Sequence, residues 1–276
     1  MLKLLAALFM LIDHTGYLFS PWLSESLHLA ARSIGRLAFP IFAYYIAVGF
    51  RRTRSLVKYF LRLTFFAAVS QFIFNYAFQL ARMSTDFVNV LFTFIGALGF
   101  LCGWQLFTQS TRDVIGRMEL LPEGQRPDND DPMFHVRMSL FGISLPTWLG
   151  RTLGAISMAL SLFFVEWIDS DYGAYGVLTV FVFYLVTDGR LETNQAKLER
   201  ALVFLVSLNV LAYVLLNFVF AKGFSELQFL SIIALPLIFT DRLKEKKPSS
   251  VMRYFFYFFY PLHFLLLALG VHLLKR

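Results

Sequence analysis

Apolar residues occur along this chain in long runs of helical length, separated by short clusters of charge. A helix needs about 20 mostly apolar residues to cross a bilayer. By that measure the pattern predicts spans at 2–20, 29–50, 57–79, 88–107, 147–167, 173–187, 200–220, 226–240 and 254–274. The sixth and eighth are short, which predicts tilted, re-entrant or half-length helices there and a count of eight to ten around the central figure of nine. No internal repeat or low-complexity tract interrupts the series. The expected fold is all-α, a polytopic transmembrane helical bundle, with residues 1–276 forming a single integral membrane domain.

The charged clusters orient it. "RRTRSLVK" at 51–58, "DGRLETNQAKLER" at 188–200 and "DRLKEKKPSSVMR" at 241–253 lie on alternate connections and hold twelve Lys and Arg between them. The opposing connections "SPWLSESLH", "LARMSTDF", "IDSDY" and "AKGFS" hold two. That asymmetry places the N-terminus and the basic loops in the cytoplasm. The linker at about 108–146 falls on the same side, and its mixed charge, Pro and Gly predict a flexible or partly folded cytoplasmic connection. Lys3 precedes the first run as it would in a signal peptide, but no small-residue cleavage pattern follows, so the run is read as a retained helix.

Composition agrees. Apolar residues make up 58% of the chain, charged residues 16%, and the mean hydropathy is +0.63. The net charge of +7 needs no nucleic-acid partner, because the basic residues sit between apolar runs as cytoplasmic loops require. A lone cysteine, Cys102, forms no internal disulfide and reads as a small buried hydrophobe. There is no metal-ligand spacing, phosphate loop or Gly-x-Ser-x-Gly elbow.

Polar residues at membrane depth carry the candidate chemistry, because ionisable groups there are expensive. His14 lies eleven residues beyond Lys3, about 16 Å deeper on a helix, and eleven steps of about 100° return it to nearly the same face. Lys3, Ala7, Met10 and His14 thus form one stripe, running from a cation at the cytoplasmic mouth to an imidazole in the outer half. Asp13 points about 100° away from His14, so contact through span 2 is favoured over a direct Asp–His dyad. Arg36 in "GRLAFPIFAYY" is expected at the depth of His14, just before a kink at Pro40, with Asp13 as its partner. Gln71 and Asn75 are expected as interhelical glue. Asn89 opens span 4, His263 sits mid-span in "FFYPLHFLL", and "DSD" at 169–171 reads as a solvated outer turn. A helix-locking ion pair between Asp13 and Arg36 competes with a functional role for both.

Several stretches together resemble one family. "KLLAALFMLIDHTG", "GRLAFPIFAYYIAVGF", "YFLRLTFFAAVSQF", "NVLFTF", "DYGAYGVLTVFVFYL" and "YFFYPLHFLLLALG" occur in the order found in the TraX family of multi-span membrane proteins, which includes an F-type pilin N-acetylase. The 108–146 linker departs from the resemblance. Wider groups of transmembrane acyltransferases carry an Arg, ten residues and a His in their first span; Lys3 and His14 keep the spacing with Lys in place of Arg, losing bidentate phosphate recognition.

The resemblance implies a bacterial cytoplasmic (inner) membrane acyltransferase. It would move an acetyl group from cytoplasmic acetyl-CoA, with no metal, to an acceptor amine on a membrane-presented peptide or pilin-like protein. Lys3, Arg51, Arg52, Arg54, Lys58 and Arg62 would hold the CoA phosphates. His14 would act as general base, Arg36 or Asn89 would polarise the thioester carbonyl, and Asp13 would orient by pairing. Three other readings stay open: O- or N-acetylation of an envelope glycan, a proton-coupled transporter using Asp13, Arg36 and His263, and a structural membrane scaffold.

Overall fold

Every one of the nine apolar runs contains helix in the computed structural model, which describes residues 1–84, 86–118, 135–137, 144–187, 193–240 and 250–275. The order is α1 (Leu2–Leu18), α2 (Glu25–Gly35), α3 (Ala38–Arg52), α4 (Leu56–Ala81), α5 (Val90–Met118), a short antiparallel pair β1 (His135–Arg137) and β2 (Ser144–Pro146), α6 (Thr147–Trp167), α7 (Gly173–Val186), α8 (Asn194–Val214), α9 (Ala234–Phe239) and α10 (Ser250–Leu274). A π turn, Leu215–Val219, extends α8, and a 3-10 stretch, Glu226–Ile233, leads into α9. Where the chain leaves the apolar runs, polar side chains start the next helix: Ser24, Ser55 and Thr193 accept from the backbone N–H of Leu27, Lys58 and Ala196.

Six segments among the described residues are long and apolar enough to cross a membrane: Glu25–Arg52, Leu56–Ala81, Val90–Ser110, Thr147–Trp167, Asn194–Val219 and Phe256–Leu274. The protein is thus a multi-pass membrane protein. α1, with 17 residues, α7, with 14, and the 226–239 segment are shorter, so among the described residues length and apolarity support six candidate crossings and leave the remaining expected spans without that support. Large apolar side chains form outward stripes at helical spacing, such as Leu61, Phe65, Val69, Phe72 and Tyr76 on α4 and Leu153, Ile156, Leu160 and Phe163 on α6. A water-facing surface rarely carries such continuous bands, whereas lipid tails match them.

Two apolar cores lie inside. The larger joins α3, α5, α7, α8 and α9 through residues such as Ile41, Leu98, Phe183, Leu205 and Leu235. The smaller joins the far half of α4 to α1 and α10 through Phe74, Phe78, Leu18 and Phe264. α5 and α6 approach backbone to backbone: a Cβ on Gly103 would stand 2.6 Å from the Gly154 carbonyl, and one on Gly154 2.7 Å from that of Gly103. Small residues permit this contact, and the Ser157 hydroxyl ties it by donating to the Gly99 carbonyl at 3.0 Å.

Three expectations are modified. The second run is two helices with an elbow at Arg36 and Leu37, because Pro40 crowds the carbonyl four residues earlier, at Arg36, and breaks the helix there. α5 continues to Met118, past the expected span end at 107, and most of the linker lies outside the described residues. The "DSD" turn is solvated at the exposed Asp169 side chain, yet its backbone is tied to the start of α5: Val88 N–H donates to the Asp169 carbonyl, Asp171 N–H to the Val88 carbonyl, and the Thr93 hydroxyl donates to the Asp171 carbonyl and lies 3.1 Å from the Ser170 hydroxyl. Ser170 is buried beneath the start of α5.

Candidate functional site

α1 delivers two adjacent ionisable side chains to two different neighbours. His14 faces α10, where its Nδ1 lies 2.8 Å from His263 Nε2. Asp13, one residue and about 100° away, faces α2, and Arg32 Nη1 donates to its Oδ2 at 2.8 Å. α1 and α2 fit closely because of glycines at the contact. Any Cβ on Gly35 would overlap the Asp13 carboxyl group, and one on Gly16 would overlap Ala31. His28, one turn before Arg32, places Nδ1 2.9 Å from the Gly16 carbonyl on the same seam.

The expected Asp13–Arg36 pair is therefore corrected. Asp13 is paired with Arg32, one helical turn before Arg36; Arg32 is not among the expected site residues, although its i, i+4 spacing from Arg36 is a signal that could have found it. Arg36 stands at the elbow and turns to the other core. Its Nη1 lies 3.4 Å from both the Tyr172 hydroxyl and Gln228 Oε1. Gln228 Nε2 donates to the Tyr175 hydroxyl, which donates to Asn209 Oδ1, both at 3.2 Å, and Asn209 Nδ2 donates to the Leu205 carbonyl at 2.8 Å. This chain runs from α2 through α7 to α8, and composition and spacing did not single out Tyr172, Tyr175, Asn209 or Gln228. Among the described residues, Asp13 Oδ1 and Arg36 Nε are buried with no hydrogen-bond partner.

His263 is 1% exposed, and its Nδ1 lies 3.0 Å from the Phe259 carbonyl. His14 is half-buried, with Phe264 tilted against it at 4.5 Å. Asp171, in the α6–α7 connection, belongs to the same electrostatic group: burial pushes its carboxyl up to about 6, with the Arg36 charge pulling the other way. Near the end of α6, the exposed Lys222 donates to Glu166 Oε2 at 2.6 Å, and this bond holds the Lys222 ammonium above its ordinary value.

Asn89 has a different role from the one expected. Its Nδ2 donates to the Ala67 carbonyl and to Gln71 Oε1, and its Oδ1 accepts from the Leu91 N–H at the start of α5. Gln71 also takes the Asn89 backbone N–H and donates to Asn75. With both amide hydrogens engaged, Asn89 has none for a substrate carbonyl.

The six rim cations divide into two sets. Arg51, Arg52, Arg54 and Lys58 are exposed at the end of α3 and the start of α4. Arg51 is held against Tyr184 of α7, 3.9 Å above the ring and donating to its carbonyl at 2.6 Å. Lys3 and Arg62 are half-buried among aromatic rings, Lys3 over Tyr45 at 4.7 Å and Phe256 at 5.6 Å, Arg62 over Tyr257 at 4.9 Å and Tyr59 at 5.8 Å. Lys3 and His14 both touch α10, at Phe256 and His263, as their shared stripe on α1 predicts. No group of three or more His, Cys, Asp or Glu residues able to hold a metal ion occurs among the described residues.

Among curated proteins, the chain is 31% identical over 107 residues to a probable fimbrial assembly protein FimC, serogroup H1, of Dichelobacter nodosus. The match covers 35% of this chain and 42% of that protein, so the chain spans less than half of the relative's length. No solved structure matches. The family model described as TraX protein matches residues 1–271, and the chain therefore belongs to the TraX family.

Proposed function

We propose that this protein is a membrane acyltransferase that passes an acetyl group from acetyl-CoA, entering at the basic end, to an amine of a pilin-like or other membrane-presented peptide. The observation that carries this reading is the placement of His14. It is a half-buried imidazole, hydrogen-bonded behind to His263, on the α1 face that begins at Lys3. The name of the fimbrial assembly relative supports a pilin-related acceptor.

In this reading the exposed Arg51, Arg52, Arg54 and Lys58 attract the CoA phosphates, and Lys3 and Arg62 mark the way inward. The acceptor nitrogen attacks the thioester carbon, forming the C–N bond. His14 takes the proton that the nitrogen loses and delivers it to the departing sulfur as the C–S bond breaks, leaving an amide and the free CoA thiol. Arg36 Nε has no hydrogen-bond partner among the described residues and supplies a donor for the carbonyl oxygen as charge develops there. The Asp13–Arg32 pair anchors α1 against α2 and fixes the angle at which His14 faces α10. A cytoplasmic N-terminus follows from the cytoplasmic origin of acetyl-CoA and the positive-inside rule.

Calorimetry of acetyl-CoA binding to the purified protein tests the reading. Micromolar binding that weakens about tenfold in Arg51→Ala/Arg54→Ala and survives in His14→Ala is the expected result. A well-folded protein that binds no acetyl-CoA removes it and favours transport, for which the elbow at Arg36 would be the broken helix of a solute site.

A further inference from the structure

We propose that His263 is a positioning residue that sets the tautomer of His14, so that His14 presents a bare Nε2 as the proton-accepting atom of the site. The derivation starts at a carbonyl. Phe259 oxygen can only accept, so His263 Nδ1, 3.0 Å away, carries a hydrogen. In a neutral ring the other nitrogen is then bare, and His263 Nε2 accepts from its 2.8 Å partner, His14 Nδ1. His14 Nδ1 therefore carries its ring's hydrogen, which leaves Nε2 with a free lone pair. A doubly protonated His263 would reverse the hydrogen bond, place the His14 hydrogen on Nε2 and abolish the base.

The ring geometry fits this one-way chain. The two rings are 24° from coplanar with centroids 5.0 Å apart. For a 2.8 Å nitrogen contact, that separation puts the bond along the line joining the ring centres, edge to edge rather than face to face. His263 cannot turn to another partner. Phe259 stacks on it at 5.3 Å and 10°, Tyr260 meets it edge-on at 5.4 Å, and Phe264 lies at 4.2 Å. Nor does it present a second base to substrate, being 1% exposed, whereas His14 retains open surface. The inner ring thus fixes and the outer ring reacts, and when His14 gains a proton the cation shares its Nδ1 hydrogen with His263.

The kinetic part of this inference rests on the acyltransferase reading; the tautomer does not. The ring nitrogens of 15N-histidine-labelled protein, assigned with single His→Gln variants, report directly which nitrogen carries hydrogen. The expected spectrum shows His14 protonated at Nδ1 only and His263 likewise. A His14 ring protonated at Nε2 overturns the inference whatever the activity.

The rate then separates positioning from proton exchange. His263→Gln can reproduce both bonds, its amide N–H facing Phe259 and its oxygen facing His14, whereas His263→Leu reproduces neither. Acetyl transfer is expected to stay within about tenfold in His263→Gln and to fall about 100-fold or more in His263→Leu, with KM for acetyl-CoA unchanged. If His263→Gln keeps the His14 tautomer yet loses as much rate as His263→Leu, the positioning role is overturned and His263 exchanges protons itself. If the wild-type tautomer is as derived but folded protein transfers no acetyl group, the tautomer assignment stands and the acyltransferase reading falls.

Discussion

Two polar groups in this bundle, one of neutral amides and one of ionisable side chains, differ in whether their hydrogen-bonding capacity is filled. At the start of α5, Asn89, Gln71 and Asn75 close on one another and on the backbone, with Asn89 0% exposed and its amide fully engaged. Between α1, α2 and α10, the cluster of Asp13, Arg32, Arg36, His14 and His263 leaves valences open: Asp13 Oδ1, Arg36 Nε and, by the tautomer argument, His14 Nε2. In a membrane interior a filled network is helix-to-helix glue. An unfilled one costs free energy unless something binds to it, which makes it the place to look for function.

The sharpest way to separate the two groups is to remove one member of each and read rate and stability together. His14→Ala is expected to lower acetyl transfer by about 10²–10⁴-fold, while detergent melting falls less than in Asn89→Ala, because the half-buried ring makes one side-chain hydrogen bond among the described residues, to His263, and one further ring contact, to Phe264. Asn89→Ala is expected to do the reverse. It strands Gln71, the Ala67 carbonyl and the first turn of α5, at a cost of about 2–3 kcal/mol, with turnover per folded molecule unchanged. Loss of turnover in a fully stable Asn89→Ala protein would place Asn89 in the site after all and end the contrast.

A smaller effect tests the seam that holds the open cluster together. Gly35→Ala inserts a methyl group where the Asp13 side chain lies. The expected result is a loss of about 1–3 kcal/mol, typical of overpacking, with acetyl transfer reduced because His14 moves with Asp13. An unchanged melting curve would mean that α1 and α2 part easily.

The smallest effect is a pH dependence. Burial raises the Asp171 carboxyl to about 6, so the folded protein holds this proton more tightly than the unfolded chain, whose ordinary value is 3.8. The group adds no differential cost below pH 4. Stability then declines as pH rises from about 4 to 6, by an amount on the order of 1 kcal/mol once partial solvent exposure is allowed for. Denaturation midpoints across that range are expected to slope downward in the wild type and to lose this component in Asp171→Asn. An unchanged slope would assign the dependence to other groups.

The two groups were unequally visible before folding. Gln71 and Asn75 could be read as glue because uncharged amides in an apolar run find partners on neighbouring helices, and their own contact, one turn apart on α4, is a relation that sequence spacing contains. The shared face of Lys3 and His14, and the divergence of Asp13 from His14, follow from helical periodicity in the same way and hold in the structure. The partners across helices were not visible. Arg32 and Arg36 lie one helical turn apart, and only the tertiary structure shows that the first meets Asp13 and the second Tyr172 and Gln228. Asn89 misled because a polar residue at the head of a helix looks the same whether it caps that helix or faces a ligand.

The sequence by itself determined the class of molecule and much of its local order: an all-helical membrane protein, the positions of its apolar runs, the charge asymmetry of its connections and the stripe on α1. These depend on composition and on the 3.6-residue period, which act within a helix. The tertiary structure alone decided that His14 meets His263, 249 positions away, that Arg36 ends a wire reaching α8, and which polar atoms remain unfilled. Such pairings depend on how whole helices rotate and cross, and no local period along the chain encodes the distance between two of them.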